Sequence, residues 1–95
     1  MTPADPEIAA ASASMRHNRS LIERSRECAC VHCLTIYEVN ENFDWIDRTE
    51  PKERWTALCQ LCEEPFVIGS ASGLPVFKEG SALLNRLYDA LIIRI

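Results

Sequence analysis

Between Ser12 and Arg26, apolar and polar positions recur at helical spacing. Met15, Leu21, Ile22 and Ser25 can share one face, while Arg16, Arg19, Glu23 and Arg24 look outward. Ser12 and Ser14 are both candidate N-caps, since a serine hydroxyl accepts an otherwise orphaned backbone N–H. The pattern then shifts. Leu34-Thr35-Ile36-Tyr37-Glu38-Val39 is rich in β-branched and aromatic residues and predicts a strand. Asn40-Glu41-Asn42 ends it, and Asn40 is placed to cap a short helical turn that sets Phe43 and Ile46 three residues apart. Residues 48–54, charged and broken by Pro51, predict an exposed loop. Trp55 to Leu58 reads as extended, and Pro65-Phe66-Val67-Ile68 suits a buried strand. Gly69 to Gly73 predicts a turn, and Leu74 to Phe77 a brief extended stretch. A last helix over 81–93, capped by Ser81, aligns Leu83, Leu84, Leu87, Tyr88 and Leu91 along one stripe. Its remaining aliphatics, Ile92, Ile93 and Ile95, offer a seam for a homodimer. Residues 1–11, with two prolines and two acids, predict a flexible tail before a single domain over 12–95.

The cysteines add a constraint that periodicity does not. Cys30 and Cys33 form one C-x2-C pair, Cys59 and Cys62 form another, and 25 residues separate the pairs. Two residues between thiolates let one tight turn aim both sulfurs at one ion, and two such turns make an all-sulfur tetrahedral cage. The expected cofactor is one structural zinc per chain, held by Cys30, Cys33, Cys59 and Cys62; iron fits the same donors. Cys28 lies two places before Cys30 and is the alternative ligand. Cys30 is preferred because its spacing to Cys33 repeats that of the second pair, which leaves Cys28 as a buried or neighbouring thiol. His32, inside the first pair, is placed to hydrogen-bond a sulfur, and His17 falls in the first helix. Four cysteines already complete a coordination shell without either histidine. The predicted fold class is α+β: two cysteine knuckles on short β-hairpins, flanked by an N-terminal and a C-terminal α-helix.

Charge and composition narrow the function classes. The chain has 95 residues, a formal charge of −4 and 47% hydrophobic residues, enough for one small core. Four thiolates around a zinc dication would bring the charge to about −6. Such acidity disfavours nucleic acid and anionic membranes as partners. Five cysteines in knuckle spacing, no basic N-terminal leader and no long apolar run predict a soluble protein of a reducing cytoplasm, without a membrane span. A catalytic zinc keeps an open coordination position, which four cysteines do not leave. Phosphate loops, nucleophile elbows and Cys-His-acid spacings do not occur, so an enzyme is not expected.

Longer stretches carry a resemblance. Ser25-Arg26-Glu27-Cys28-Ala29-Cys30-Val31-His32-Cys33, Trp45-Ile46-Asp47, Thr56-Ala57-Leu58-Cys59-Gln60-Leu61-Cys62 and Val67-Ile68-Gly69-Ser70-Ala71-Ser72-Gly73-Leu74-Pro75 follow one another in order. Together they resemble a family of small, mostly uncharacterised bacterial cytoplasmic proteins, over roughly two thirds of the chain. That resemblance implies a zinc-ribbon-like fold and a bacterial cytoplasmic setting, and implies no activity. Departures fall at the knuckles: Leu34 and Glu63 stand where a glycine commonly eases a left-handed turn. Gln60 replaces the family's proline and Ala29 its glycine.

Two functional expectations follow. The favoured one is a zinc-stabilised protein-interaction module, without catalysis of its own, presenting the first helix, the turn 69–75 and the last helix to a protein partner. The alternative is a nucleic-acid-binding or regulatory protein using Arg16, Arg19, Arg24 and Arg26, the one basic concentration in the chain. Charge runs of this size more often form a solvated helix face.

Overall fold

The computed structural model describes residues 6–78 and 81–93. Its organising strand is β1 (Glu27–Cys30), flanked by antiparallel β2 (Thr35–Glu38) and antiparallel β5 (Val67–Gly69). Cys28 pairs with Tyr37 across one edge and with Gly69 across the other. Side chains of a strand alternate between faces, so β1 divides the interior in two. Ala29 and the following Val31 join Ala11, Met15, Ile68, Leu83 and Leu87 in a core on the helical side. Cys28 and Cys30 turn the other way, toward Ile22, Phe43, Ala57, Cys59 and Val67. A second, two-residue ribbon pairs β3 (Trp45–Ile46) with β4 (Thr56–Ala57).

The N-terminal helical region differs from the single helix expected over 12–26. Helix α1 spans Pro6–Ser14, so residues 6–11 of the expected tail are helical and Ala11 is fully buried. Residues 1–5 lie outside the described residues. A separate helix, α2, spans Arg19–Glu23. Between them His17 adopts a left-handed backbone (φ 51), which no helix tolerates in its interior. Asn18 fixes the break. Its side-chain amide donates to the carbonyls of Ser14 and Val67, and its side-chain oxygen accepts from the Ala57 N–H. One buried carboxamide thus ties both helices' junction to β5 and β4.

Downstream, the short helical turn expected after Asn40 is absent. The Asn40 side-chain oxygen does accept the Asn42 N–H at 2.8 Å, but as a local turn that leads into β3. Phe43 is buried beside Trp45, whereas Ile46 is exposed on the ribbon. Residues 48–54 form an exposed segment ending in a 3-10 turn over Lys52–Arg54. The stretch expected to be extended after Leu74 is instead a 3-10 turn, Pro75–Phe77, with proline at its first position, where a missing N–H costs nothing.

The V-I-G-S-A-S-G segment acts as a clasp on the start of β1. Ser70 Oγ accepts the backbone N–H of both Arg26 and Glu27, and Ser25 Oγ accepts that of Ala71. Gly69 passes so close that a Cβ there would run into Ser25 Oγ. The Ser25 and Ser70 hydroxyls thus fasten the turn to the chain, while Ala71, Gly73 and Pro75 remain exposed on it.

Helix α3 (Leu83–Tyr88) continues as a π-helical turn over Asp89–Ile93. Ser81 Oγ accepts the Leu83 N–H at 3.2 Å, one place ahead of the cap position. Leu83 and Leu87 are buried, and Leu84, Tyr88, Leu91 and Ile92 pack beside them. Of the aliphatics expected at a homodimer seam, Ile93 is exposed, Ile92 contacts the core, and Ile95 lies outside the described residues. No helix among the described residues is long and apolar enough to cross a membrane.

Candidate metal centre

The end of β1 and the turn that follows carry Cys30 and Cys33; the segment after β4 carries Cys59 and Cys62. The first pair lies in a β-hairpin, as expected, because β1 and β2 pair directly. The second does not. β4 pairs with β3 and β5 pairs with β1, so Cys59 and Cys62 lie on the link between two sheets rather than on one hairpin. The Val67–Gly69 strand finds its partner in β1 because Val67 and Ile68 fill both faces beside Cys30 and Ala29.

The two turns are built alike. The Leu34 N–H donates to the Cys30 carbonyl at 2.8 Å, and the Glu63 N–H to the Cys59 carbonyl at 2.9 Å. Both residues have left-handed backbones, φ 59 and φ 62. These are the positions where glycine commonly stands, and the chain forms the turn without it.

Folding brings the Sγ atoms of Cys30, Cys33, Cys59 and Cys62 within 4.8 Å of one another. Two contacts cross between the turns: Cys30 Sγ to Cys62 Sγ at 3.6 Å, and Cys33 Sγ to Cys59 Sγ at 3.7 Å. A tetrahedral ion with metal–sulfur bonds of about 2.3 Å separates its sulfurs by about 3.8 Å. The observed spacing therefore fits a single metal ion. Cys28 is not in the group; it is fully buried one strand position pair earlier, facing Tyr37.

Donors surround the sulfurs. The Cys33 N–H points at Cys30 Sγ (3.5 Å) and the Leu61 N–H at Cys59 Sγ (3.4 Å). Tyr37 Oη donates to Cys59 Sγ at 3.6 Å while accepting the Gln60 N–H at 3.0 Å. Such contacts offset the charge of clustered thiolates. They also separate the thiols in acidity. Burial pushes Cys30 well above the ordinary thiol value, and burial raises Cys62 too. Burial acts the same way on Cys59, but the N–H groups of Leu61 and Cys62 with the Tyr37 and Cys33 side chains outweigh it, bringing that thiol down to about 7. Cys28, out of water, is pushed up to about 11, its hydrogen bond from Tyr37 pulling only partly against this.

The other residues singled out by the sequence have different fates. His32 stacks on Phe66 with ring centres 6.0 Å apart, and among the described residues no hydrogen bond joins it to a sulfur. His17 Nδ1 meets the Arg54 carbonyl at 2.8 Å, and its backbone N–H donates to Thr56 Oγ1, which in turn donates to Asp47. The four arginines differ in their surroundings. The Arg19 guanidinium sits between Trp45 and Trp55, 4.7 and 4.9 Å from their ring centres, and pairs with Glu23 at 3.2 Å. Arg48 caps Trp55 in turn, at 4.7 Å. Arg16, Arg24 and Arg26 are exposed. This alternating cation and ring stack was not legible from spacing, since its four members come from three separate segments.

The molecule is thus a small α+β chain whose two cysteine turns converge on a site able to hold a metal ion. No known family model matches the chain, and neither a curated protein nor a solved structure shows detectable similarity to it.

Proposed function

We propose that the chain is a zinc-stabilised protein-interaction module of zinc-ribbon-like character, with no catalytic activity of its own. The observation that carries the reading is the cluster of four Sγ atoms within 4.8 Å, furnished with N–H and O–H donors. All-thiolate donor sets favour zinc, and four of them close its coordination shell, which is the character of a structural rather than a catalytic site. Zinc would tie the three-stranded sheet to the β3–β4 ribbon, and in small modules such binding is on the order of 10–16 kcal/mol of folding free energy.

The interaction role is supported by what surrounds the site. Leu34 and Leu61, at the tips of the two cysteine turns, are 41% and 63% exposed, and Ile36 of β2 is 44% exposed. Apolar side chains held outward by a metal-braced frame suit a protein partner. Nucleic acid is the weaker reading, because the chain is acidic and Arg19 is held by two tryptophans and Glu23. A bacterial cytoplasmic setting is carried by the resemblance of the sequence alone, and paired cysteine turns suit a reducing compartment. Native mass spectrometry with metal analysis tests the core of the proposal: one zinc per chain is expected, and Cys59→Ser should lose it and unfold. Full stoichiometry and stability in that variant would overturn the four-cysteine site.

A further inference from the structure

The three-stranded sheet has one covered edge and one open one. On the β5 side, the Val67 carbonyl accepts the Asn18 amide, and α1 and α2 pack against the strand. The other edge is β2, and its ladder with β1 fixes which groups face outward. The Val39 N–H donates to the Arg26 carbonyl at 3.0 Å, in step with the neighbouring Glu27–Glu38 pair. Bonded and non-bonded pairs alternate in an antiparallel ladder, so Tyr37 and Thr35 exchange bonds with Cys28 and Cys30. The N–H and C=O groups of Ile36 and Glu38 therefore point away from β1. Among the described residues no hydrogen bond reaches them.

The side chains say what kind of strand would complete this edge. Ile36 and Glu38 are the exposed residues of β2 and share one face, with Thr35 and Tyr37 half-buried on the other. Ile36 leaves 44% of an aliphatic surface uncovered beside the free backbone groups. Glu38 lies directly across from Glu27, and neither carboxylate has an ion-pair partner among the described residues. Like charges in that position repel, and a cation beside them removes the repulsion. Proline, lysine or a bulge commonly blunts a sheet edge; β2 has none of these, and its one charge is an acid. A second copy of this acidic chain would bring further carboxylates to the edge, whereas a basic strand would neutralise those present.

Deepening the interaction-module reading, on which this rests, we propose that β2 receives an extended segment of a partner protein as a fourth, antiparallel strand. The segment exchanges backbone hydrogen bonds with Ile36 and Glu38. It carries lysine or arginine opposite Glu38 and, two places later, an aliphatic residue opposite Ile36.

The test uses the full chain purified with zinc and the acetylated, amidated peptide Thr-Lys-Thr-Val-Thr, followed by calorimetry, amide chemical shifts and hydrogen exchange. Saturable binding is expected, with slowed exchange at the Ile36 and Glu38 N–H groups. N-methylation of the peptide's valine, whose N–H faces β2, should abolish binding; N-methylation of its central threonine, whose N–H faces away, should not. Glu38→Lys should bind about tenfold more weakly, and a peptide with glutamate in place of lysine should recover the loss. Glu38 is exposed, and retained zinc with a dispersed spectrum verifies that the variant folds. No binding, equal effects of the two N-methyl groups, or shifts confined to another part of the chain would each overturn the proposal. Slowed exchange at Ile36 in a peptide-free dimer would assign the edge to a second copy and overturn it too. In-cell cross-linking separates this from the broader reading. A partner captured equally by wild type and Glu38→Lys would remove the edge and leave the module; no partner with either would count against both.

Discussion

Leu34 and Glu63 are conformational counterparts, each returning its N–H to the carbonyl of the first cysteine in its own turn with φ near +60°. A left-handed backbone costs a residue with a Cβ about 1–2 kcal/mol, and glycine escapes most of that penalty at a cost in unfolded-state entropy of about 0.5–1 kcal/mol. Leu34→Gly and Glu63→Gly should therefore each stabilise the chain by up to about 1 kcal/mol. Thermal denaturation checks this, and a lowered melting temperature in both variants would show that the turns are not strained.

Cys28 and Cys30 share a face of β1, yet the sulfur cluster includes only Cys30. Cys28→Ala should keep one metal per chain and lose about 1–2 kcal/mol through a small cavity in a fully buried position. Cys30→Ser should lose the metal. Metal content measured on both proteins decides the matter; loss in Cys28→Ala alone would reassign the ligand.

Metal binding should release protons. Thiolates are the ligands, and burial keeps Cys30 and Cys62 protonated through neutral pH, whereas Cys59 is ionised above about 7. Affinity should thus fall as pH falls, each displaced proton contributing about tenfold per unit, and the slope should steepen below about pH 7 where Cys59 also binds a proton. Chelator competition at about pH 6 and about pH 8 reads this directly. A pH-independent affinity would be incompatible with thiol ligands.

Arg19 holds Trp45 of the ribbon and Trp55 ahead of β4 in one stack. Arg19→Lys keeps the charge but not the planar group that lies against two rings, and should cost about 1–2 kcal/mol. Chemical denaturation gives the energy, and tryptophan emission should shift as the rings gain water. An unchanged unfolding midpoint would mean the stack is incidental.

The strands expected over 34–39 and 65–68, found at 35–38 and 67–69, the final helix and the paired cysteines are legible because each rests on local spacing. What depends on contacts distant in the chain is not. Residues 12–26 carry helical periodicity throughout, but the anchoring of Asn18 to Val67 and Ala57 breaks the helix there. The second cysteine turn looked like a hairpin since strands flank it, yet strand pairing is chosen by side chains on both faces of β1. Arg19 read as solvated because nothing local reveals Trp45 and Trp55 on either side. The preference for Cys30 over Cys28 came from matched spacing alone, and the structure places those four sulfurs together.

The strand β1 shows neither face to solvent: its cysteines border the sulfur cluster and its Ala29 borders the core under α1 and α3. Neither half of the molecule therefore has a boundary of its own. Loosening the cysteine turns withdraws the wall against which the helices pack, so the cysteine-bearing half and the helical half are expected to melt as one cooperative unit.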